Sequence, residues 1–134
     1  MSMNPKIKAQ WLAALRSGEY QQGKGALRRT IQGEEKFCCL GVLCELAVKA
    51  EVTPAPVVDS HQPTLAAWQY ENGNWGSLPP SVRDWAGLLS VDPSVIVTSG
   101  SANHPVRHEQ NLSECNDDLR LTFAQIADVI EAQL

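Results

Sequence analysis

The sequence has no excess of positive charge: 11 Lys and Arg stand against 15 Asp and Glu, a net charge of -4. A general binder of polymeric nucleic acid needs a basic face that displaces counterions, and this balance argues against one. No apolar run approaches the length of a membrane span, so no membrane partner is expected. The start, Met1-Ser2-Met3-Asn4-Pro5-Lys6, lacks the hydrophobic core of a signal peptide, which predicts a cytoplasmic protein. The chain has no internal repeat, linker or low-complexity tract, and no Walker A loop.

What is present describes an ordinary globule. The 134 residues are 43% hydrophobic and 19% charged. That suffices for a single domain, residues 1–134, burying about two-thirds of its unfolded surface. Asn4 as N-cap, Pro5 at the first helical position and Gly18 at the end predict a helix with Ile7, Trp11, Leu12 and Leu15 on one face. Ala26–Ile31 and Lys36–Cys38 around a Gln32–Glu35 turn suggest a small hairpin. Cys39–Ala50 reads as a buried helix in which Gly41 admits another backbone, and Glu51–Thr64 as a Pro-rich loop, a lid or a connector.

Asn72-Gly73 between Trp68-Gln69-Tyr70 and Trp75 signals a second hairpin. A short helix follows Leu78-Pro79-Pro80, with Val82, Trp85 and Ala86 inward and Gly87 closing it. Ser94–Thr98 is a β-branched strand candidate, while the polar residues 99–110 read as loop. Thr122 and Gln125 form a capping box for a last helix with Phe123, Ile126, Val129, Ile130 and Leu134 as its stripe. The sum is an α+β domain with short strands.

The most informative stretch is Tyr20-Gln21-Gln22-Gly23-Lys24-Gly25-Ala26-Leu27-Arg28-Arg29, with three cations in its last six residues. Two glycines flank Lys24, so backbone amides can approach a ligand or adopt positive φ. Amide N–H groups and side-chain cations converging on one oxyanion make an anion site. Tyr20 offers stacking and Gln21 or Gln22 hydrogen bonds to a base. The competing reading is a solvated turn leading into a strand.

Other residues carry rival chemistry. Cys39 or Cys44 as nucleophile with His104 or His108 as base would make an enzyme, although no local signature of a cysteine hydrolase is present. His104, His108 and Cys115 with Cys38, Cys39 or Cys44 would make a zinc site, against which Pro105 and the cysteine spacing both speak. In a reducing cytosol the four thiols read instead as buried packing. Arg83 is available for a ligand phosphate or an Asp. Trp68, Tyr70 and Trp75 either stack on a base or pack the second hairpin onto the helices, packing being the commoner role. Glu34-Glu35 and Asp117-Asp118 read as turn and surface charge.

The runs Trp11–Gly18, Tyr20–Leu27, Phe37-Cys38-Cys39-Leu40-Gly41-Val42-Leu43-Cys44-Glu45-Leu46, Leu78–Leu88, Asn116-Asp117 and Phe123–Glu131 together carry a resemblance. The chain resembles small bacteriophage-encoded proteins with the Cys-Cys-Leu-Gly-Val-Leu-Cys string. These are similar in character to the viral anti-CBASS sponges, which sequester cyclic dinucleotides as oligomers. The resemblance implies an immune-evasion protein of the host cytosol that holds a cyclic nucleotide without cleaving it, as a homo-oligomer, with no catalytic residue, cofactor or metal. Its ligand set would be Tyr20, Gln21, Gln22, Gly23, Lys24, Gly25, Arg28, Arg29 and Arg83. Asp117-Asp118-Leu119-Arg120 departs from the pattern in having less glycine, which puts that loop's contacts in doubt. A module that docks its basic loop on an acidic host factor is the alternative.

Overall fold

The computed structural model describes residues 3–58, 67–101 and 103–134, the side chains of residues 99–101 excepted. The first helix, α1 (Pro5–Ser17), begins where the Asn4 side chain accepts the Lys6 and Ile7 amides at 2.9 and 3.4 Å. It ends at Gly18, whose φ of 78° is left-handed. Ile7, Trp11 and Leu15, four residues apart, form its buried stripe. The Trp11 indole N–H donates to the Cys39 carbonyl at 2.9 Å and so pins α1 to the start of the central helix.

Strands β1 (Arg28–Ile31) and β2 (Glu34–Phe37) pair antiparallel across a two-residue turn, Gln32-Gly33. Both turn residues have positive φ, 52° and 81°, as such a tight hairpin requires. The turn is thus shorter than the four residues expected, and Glu34-Glu35 belong to β2. The central helix α2 (Cys39–Lys49) is buried nearly all round. Gly41 is obligatory there: a Cβ on it would lie 1.7 Å from the Leu27 carbonyl oxygen. The close backbone approach expected at this glycine is therefore present.

Strand β3 (Val57–Val58) pairs antiparallel with β4 (Trp68–Gln69). Residues 59–66, which include part of the expected Pro-rich loop, lie outside the described residues. The second hairpin differs from expectation. The Asn72-Gly73 turn exists, with φ of 61° and 74°, and a Tyr70–Asn74 bridge closes it. The strand before it pairs with β3 instead of with the residues around Trp75, because the 3-10 turn Glu71–Gly73 allows only that single bridge. Helix α3 (Pro80–Ala86) buries Val82 and Ala86 and half-buries Trp85.

The largest correction concerns residues 99–110. Apart from residue 102, which lies outside the described residues, and the turn at Asn103, they are strand: β5 (Ser94–Ser101) and β6 (His104–Asn111) form an antiparallel ribbon with eight residues in each strand. Val95 and Val97 of β5 face the core, but β6 is exposed over its first four residues. A strand that buries neither face carries no apolar alternation, so its sequence gives no period-two signal. Helices α4 (Leu112–Asp117) and α5 (Phe123–Gln133) complete the chain. The Thr122–Gln125 capping box at the head of α5 is made in both directions. Among the described residues three two-stranded sheets thus pack around helices that share one core, running from Met3 to Ile130. The fold is α+β, and none of the helices among the described residues is long and apolar enough to cross a membrane.

Candidate anion site on the first hairpin

Residues 20–25 run alongside the end of β2. The Phe37 N–H donates to the Gln21 carbonyl at 2.8 Å and the Gly23 N–H to the Phe37 carbonyl at 2.7 Å. Gly23 is required by proximity, since a Cβ there would meet the Lys36 Cβ at 2.6 Å. The segment is anchored from below by Gln22. Its amide donates to the Asn116 Oδ1 at 2.9 Å and to the Leu121 carbonyl at 2.7 Å, and its Oε1 accepts the Phe123 N–H at 3.2 Å. Fully buried Asn116 returns a bond from Nδ2 to the Gly23 carbonyl at 2.7 Å. Gln22 therefore holds the loop to the α4–α5 junction and does not present its amide to solvent.

Tyr20 packs edge-on against Phe37, with ring centroids 5.3 Å apart, and its hydroxyl lies 3.1 Å from the Lys49 ammonium. That hydrogen bond is the main cause of a raised Lys49 pKa. Gln21 is exposed and contributes its backbone carbonyl to the strand-like contact.

Strand alternation sends the two adjacent arginines to opposite faces of the hairpin. Arg28 shares its face with Phe37, Thr30 and Glu35. Its side chain is only 14% exposed and pairs with Glu35 and with Glu45, the latter at 3.3 Å. Its guanidinium also lies over Trp68 at 4.1 Å and near Phe37 at 5.4 Å. The Trp68 indole N–H is itself fixed on Thr30 at 2.9 Å, and the Tyr70 hydroxyl donates to Glu45 at 2.7 Å. Burial opposes the Arg28 charge, but the hydrogen bond to Glu35 and the charge of Glu45 outweigh it and raise the pKa. Burial, reinforced by Glu45, pushes the Tyr70 phenol well above its usual range. Arg28 is thus committed to two carboxylates and two rings.

The opposite face is different. Arg29 stands directly across from Lys36, two like charges in register. Arg29 also donates to the Lys24 carbonyl at 3.3 Å, which brings exposed Lys24 to the same edge. Gly25, with φ of 83°, turns the chain there; a Cβ on it would lie 3.2 Å from the Arg29 Nη1. The one carboxylate in an ion pair with these three cations, among the described residues, is Glu34, 3.7 Å from Lys36 and 62% exposed. Lys36 was not among the residues expected from sequence; placing Gln32-Gly33 at the centre of the turn would have aligned it with Arg29. For Trp75 the sequence favours a packing role. It is 53% exposed, and its carbonyl accepts the Leu27 N–H at 2.7 Å, which sets it beside the same segment.

The chain belongs to the family described as a domain of unknown function (DUF8296). That family's model matches residues 3–134. No curated protein and no solved structure matches the chain.

Not all the expected ligand set is assembled. Arg83 lies on α3, where its Nε donates to neighbouring Asp84 at 2.9 Å, and it makes no ion pair with the hairpin among the described residues. The four cysteines are free and buried. Burial raises all their pKa values, Cys38 to about 12 and Cys115 to about 11, with Cys39 and Cys44 well above the ordinary thiol. A nucleophile needs the thiolate and access, and these thiols have neither. His104 and His108 lie on β6, where the His108 Nδ1 is 2.9 Å from the Gln110 amide. No group of three His, Cys, Asp or Glu among the described residues is arranged to hold a metal ion.

Proposed function

We propose that this protein is a non-enzymatic binder of a phosphate-bearing ligand, held on the outer face of the first hairpin by Lys24, Arg29 and Lys36. The observation that carries this reading is the register of Arg29 opposite Lys36 with Lys24 at their edge. Like charges directly opposite each other on a sheet are unfavourable, by up to about 1 kcal/mol. An anion between them turns that repulsion into attraction, and Gly25, with no side chain beside the Arg29 guanidinium, lets it come close. Trp75, whose backbone carbonyl holds the Leu27 N–H and whose residue is exposed, is an aromatic near this segment on which a base could stack, which favours a nucleotide over a bare phosphate.

The biological role is sequestration of a nucleotide second messenger, most naturally a cyclic dinucleotide, by a phage protein that evades bacterial immunity in the host cytosol. Buried thiols with raised pKa values fit binding without cleavage. To compete with an effector the site needs about nanomolar affinity, or about 12 kcal/mol. The test is a thermal-shift panel of cyclic di- and trinucleotides and ADP-ribose derivatives, followed by mass analysis of nucleotide released on denaturation. One species shifting the midpoint and returning intact supports the reading. A changed mass makes the protein an enzyme, and no shift with any ligand rejects the nucleotide reading in favour of a host-protein partner.

A further inference from the structure

The β5–β6 ribbon has two outer edges, and they are built differently. On the β5 side the Ile96 N–H donates to the Gln133 Oε1 and the Ile96 carbonyl accepts from the Gln133 Nε2, both at 2.7 Å. The Gln133 carboxamide thus makes the paired bonds that a neighbouring strand would make. Those bonds also show that the Ile96 backbone points away from β6, so by alternation the Thr98 and Gly100 backbones do too. The β6 residues opposite these three are Glu109, Arg107 and Pro105. Two charges and a residue without an N–H protect the β6 edge against further pairing. Beyond the Gln133 cap at Ile96 the β5 edge has no such guard in its sequence: Ser94-Val95-Ile96-Val97-Thr98-Ser99-Gly100-Ser101 contains neither charge nor proline.

We infer that the β5 edge pairs with β5 of a second copy of this chain, joining two ribbons into one four-stranded antiparallel sheet about a two-fold axis. A second copy suits this edge, because a strand without charges meets its own copy with no like-charge opposition along its length and because the edge is self-complementary. The register that places Thr98 opposite Thr98 of the second copy is self-complementary. It makes a cross-strand Thr–Thr pair and sets Ile96, 40% exposed, opposite Gly100, which has no side chain to clash with it. Gly100 of the second copy then takes the bonds that Gln133 makes in the monomer. A groove of about 340 Å³ beside this edge, lined by Ile96, Thr98, Leu119, Leu121 and Val129, is covered in the same step. The contact is isologous and closes at two copies, which limits the hazard of an open edge.

Sedimentation velocity of the full chain from micromolar to submillimolar concentration tests this, with variants at Thr98. Wild type is expected to form a dimer. Thr98→Lys and Thr98→Glu, each placing like charges opposite each other, should each weaken it at least tenfold, and mixing the two should restore a dimer. The Thr98 amide proton of wild type should exchange more slowly as concentration rises, a readout that needs no variant. A wild type that stays monomeric leaves the edge to another protein's strand and overturns the proposal. A dimer indifferent to both charges, a mixture that does not reassociate, or Thr98 exchange independent of concentration overturns it equally.

Discussion

On the inner face of the first hairpin, Arg28 is enclosed by Glu35, Glu45, Trp68 and Phe37; one residue later and on the outer face, Arg29 stands across from another cation. The two arginines are neighbours in sequence and opposites in circumstance. The inner one has its charge matched before any ligand arrives, so what it contributes is cohesion between β1, β2, α2 and β4. The outer one sits in an unbalanced field, and an unbalanced field is what an anionic ligand can relieve. A run of positive residues in a strand is therefore two half-sets, one on each face, and each half needs its own account.

Substitutions can break this comparison on either side. Arg28→Ala removes the partner of partly buried Glu45 and of Glu35, and the cation between two rings. Because Glu35 remains 44% exposed, the expected loss is about 2–3 kcal/mol, below that of a fully buried pair. Chemical denaturation measures it, and a loss under the error of that method would mean the inner face is not the structural one. Gln22→Ala leaves the Asn116 Oδ1 and the Phe123 N–H without their Gln22 partner and should cost about 2 kcal/mol. Affinity for the ligand should fall with it, since the Gly23–Gly25 loop loses its anchor.

Alkaline conditions act on the inner face and the core. The Tyr70 phenol and the Cys38 thiol have folded pKa values raised by burial, Cys38 from 9.0 to about 12. The folded state thus keeps protons that the unfolded chain releases, and stability is complete below the unfolded values and falls as pH rises through them. Each such group adds a slope of about 1.4 kcal/mol per pH unit, beginning near pH 9 for the thiol and near 10 for the phenol. Urea midpoints measured in reductant from neutral to alkaline pH should show this decline, and Tyr70→Phe should make it shallower above pH 10.

The smallest effect on stability belongs to the outer face. Arg29→Ala should change it by about 0.5 kcal/mol or less, with a gain as welcome as a loss, since it relieves the opposition to Lys36. Ligand affinity, by contrast, should fall steeply in the same variant.

Helices at the two ends of the chain were legible because their signals are local. Asn4, Pro5 and Gly18 mark α1, and Thr122 with Gln125 marks α5, each within one turn of the boundary it sets. The ribbon was legible only in β5, where Val95 and Val97 meet the core; β6 buries nothing that would give it a pattern. The candidate site was half legible. Composition pointed to the Tyr20–Arg29 stretch, and the structure puts Lys24 and Arg29 together at one edge. The fate of Arg28 was hidden, because Glu45, Trp68 and Tyr70 arrive from 17 or more residues away. Gln22 was hidden likewise, since Asn116 and Leu121 reach it from more than 90 residues away.

The most direct test of the outer face is a calorimetric titration of the nucleotide selected by the thermal-shift panel against wild type, Arg29→Gln and Lys36→Gln. The account predicts that each variant keeps its unfolding midpoint while its dissociation constant rises at least tenfold. Affinities equal to wild type in both variants would contradict it and place any bound anion elsewhere on the molecule.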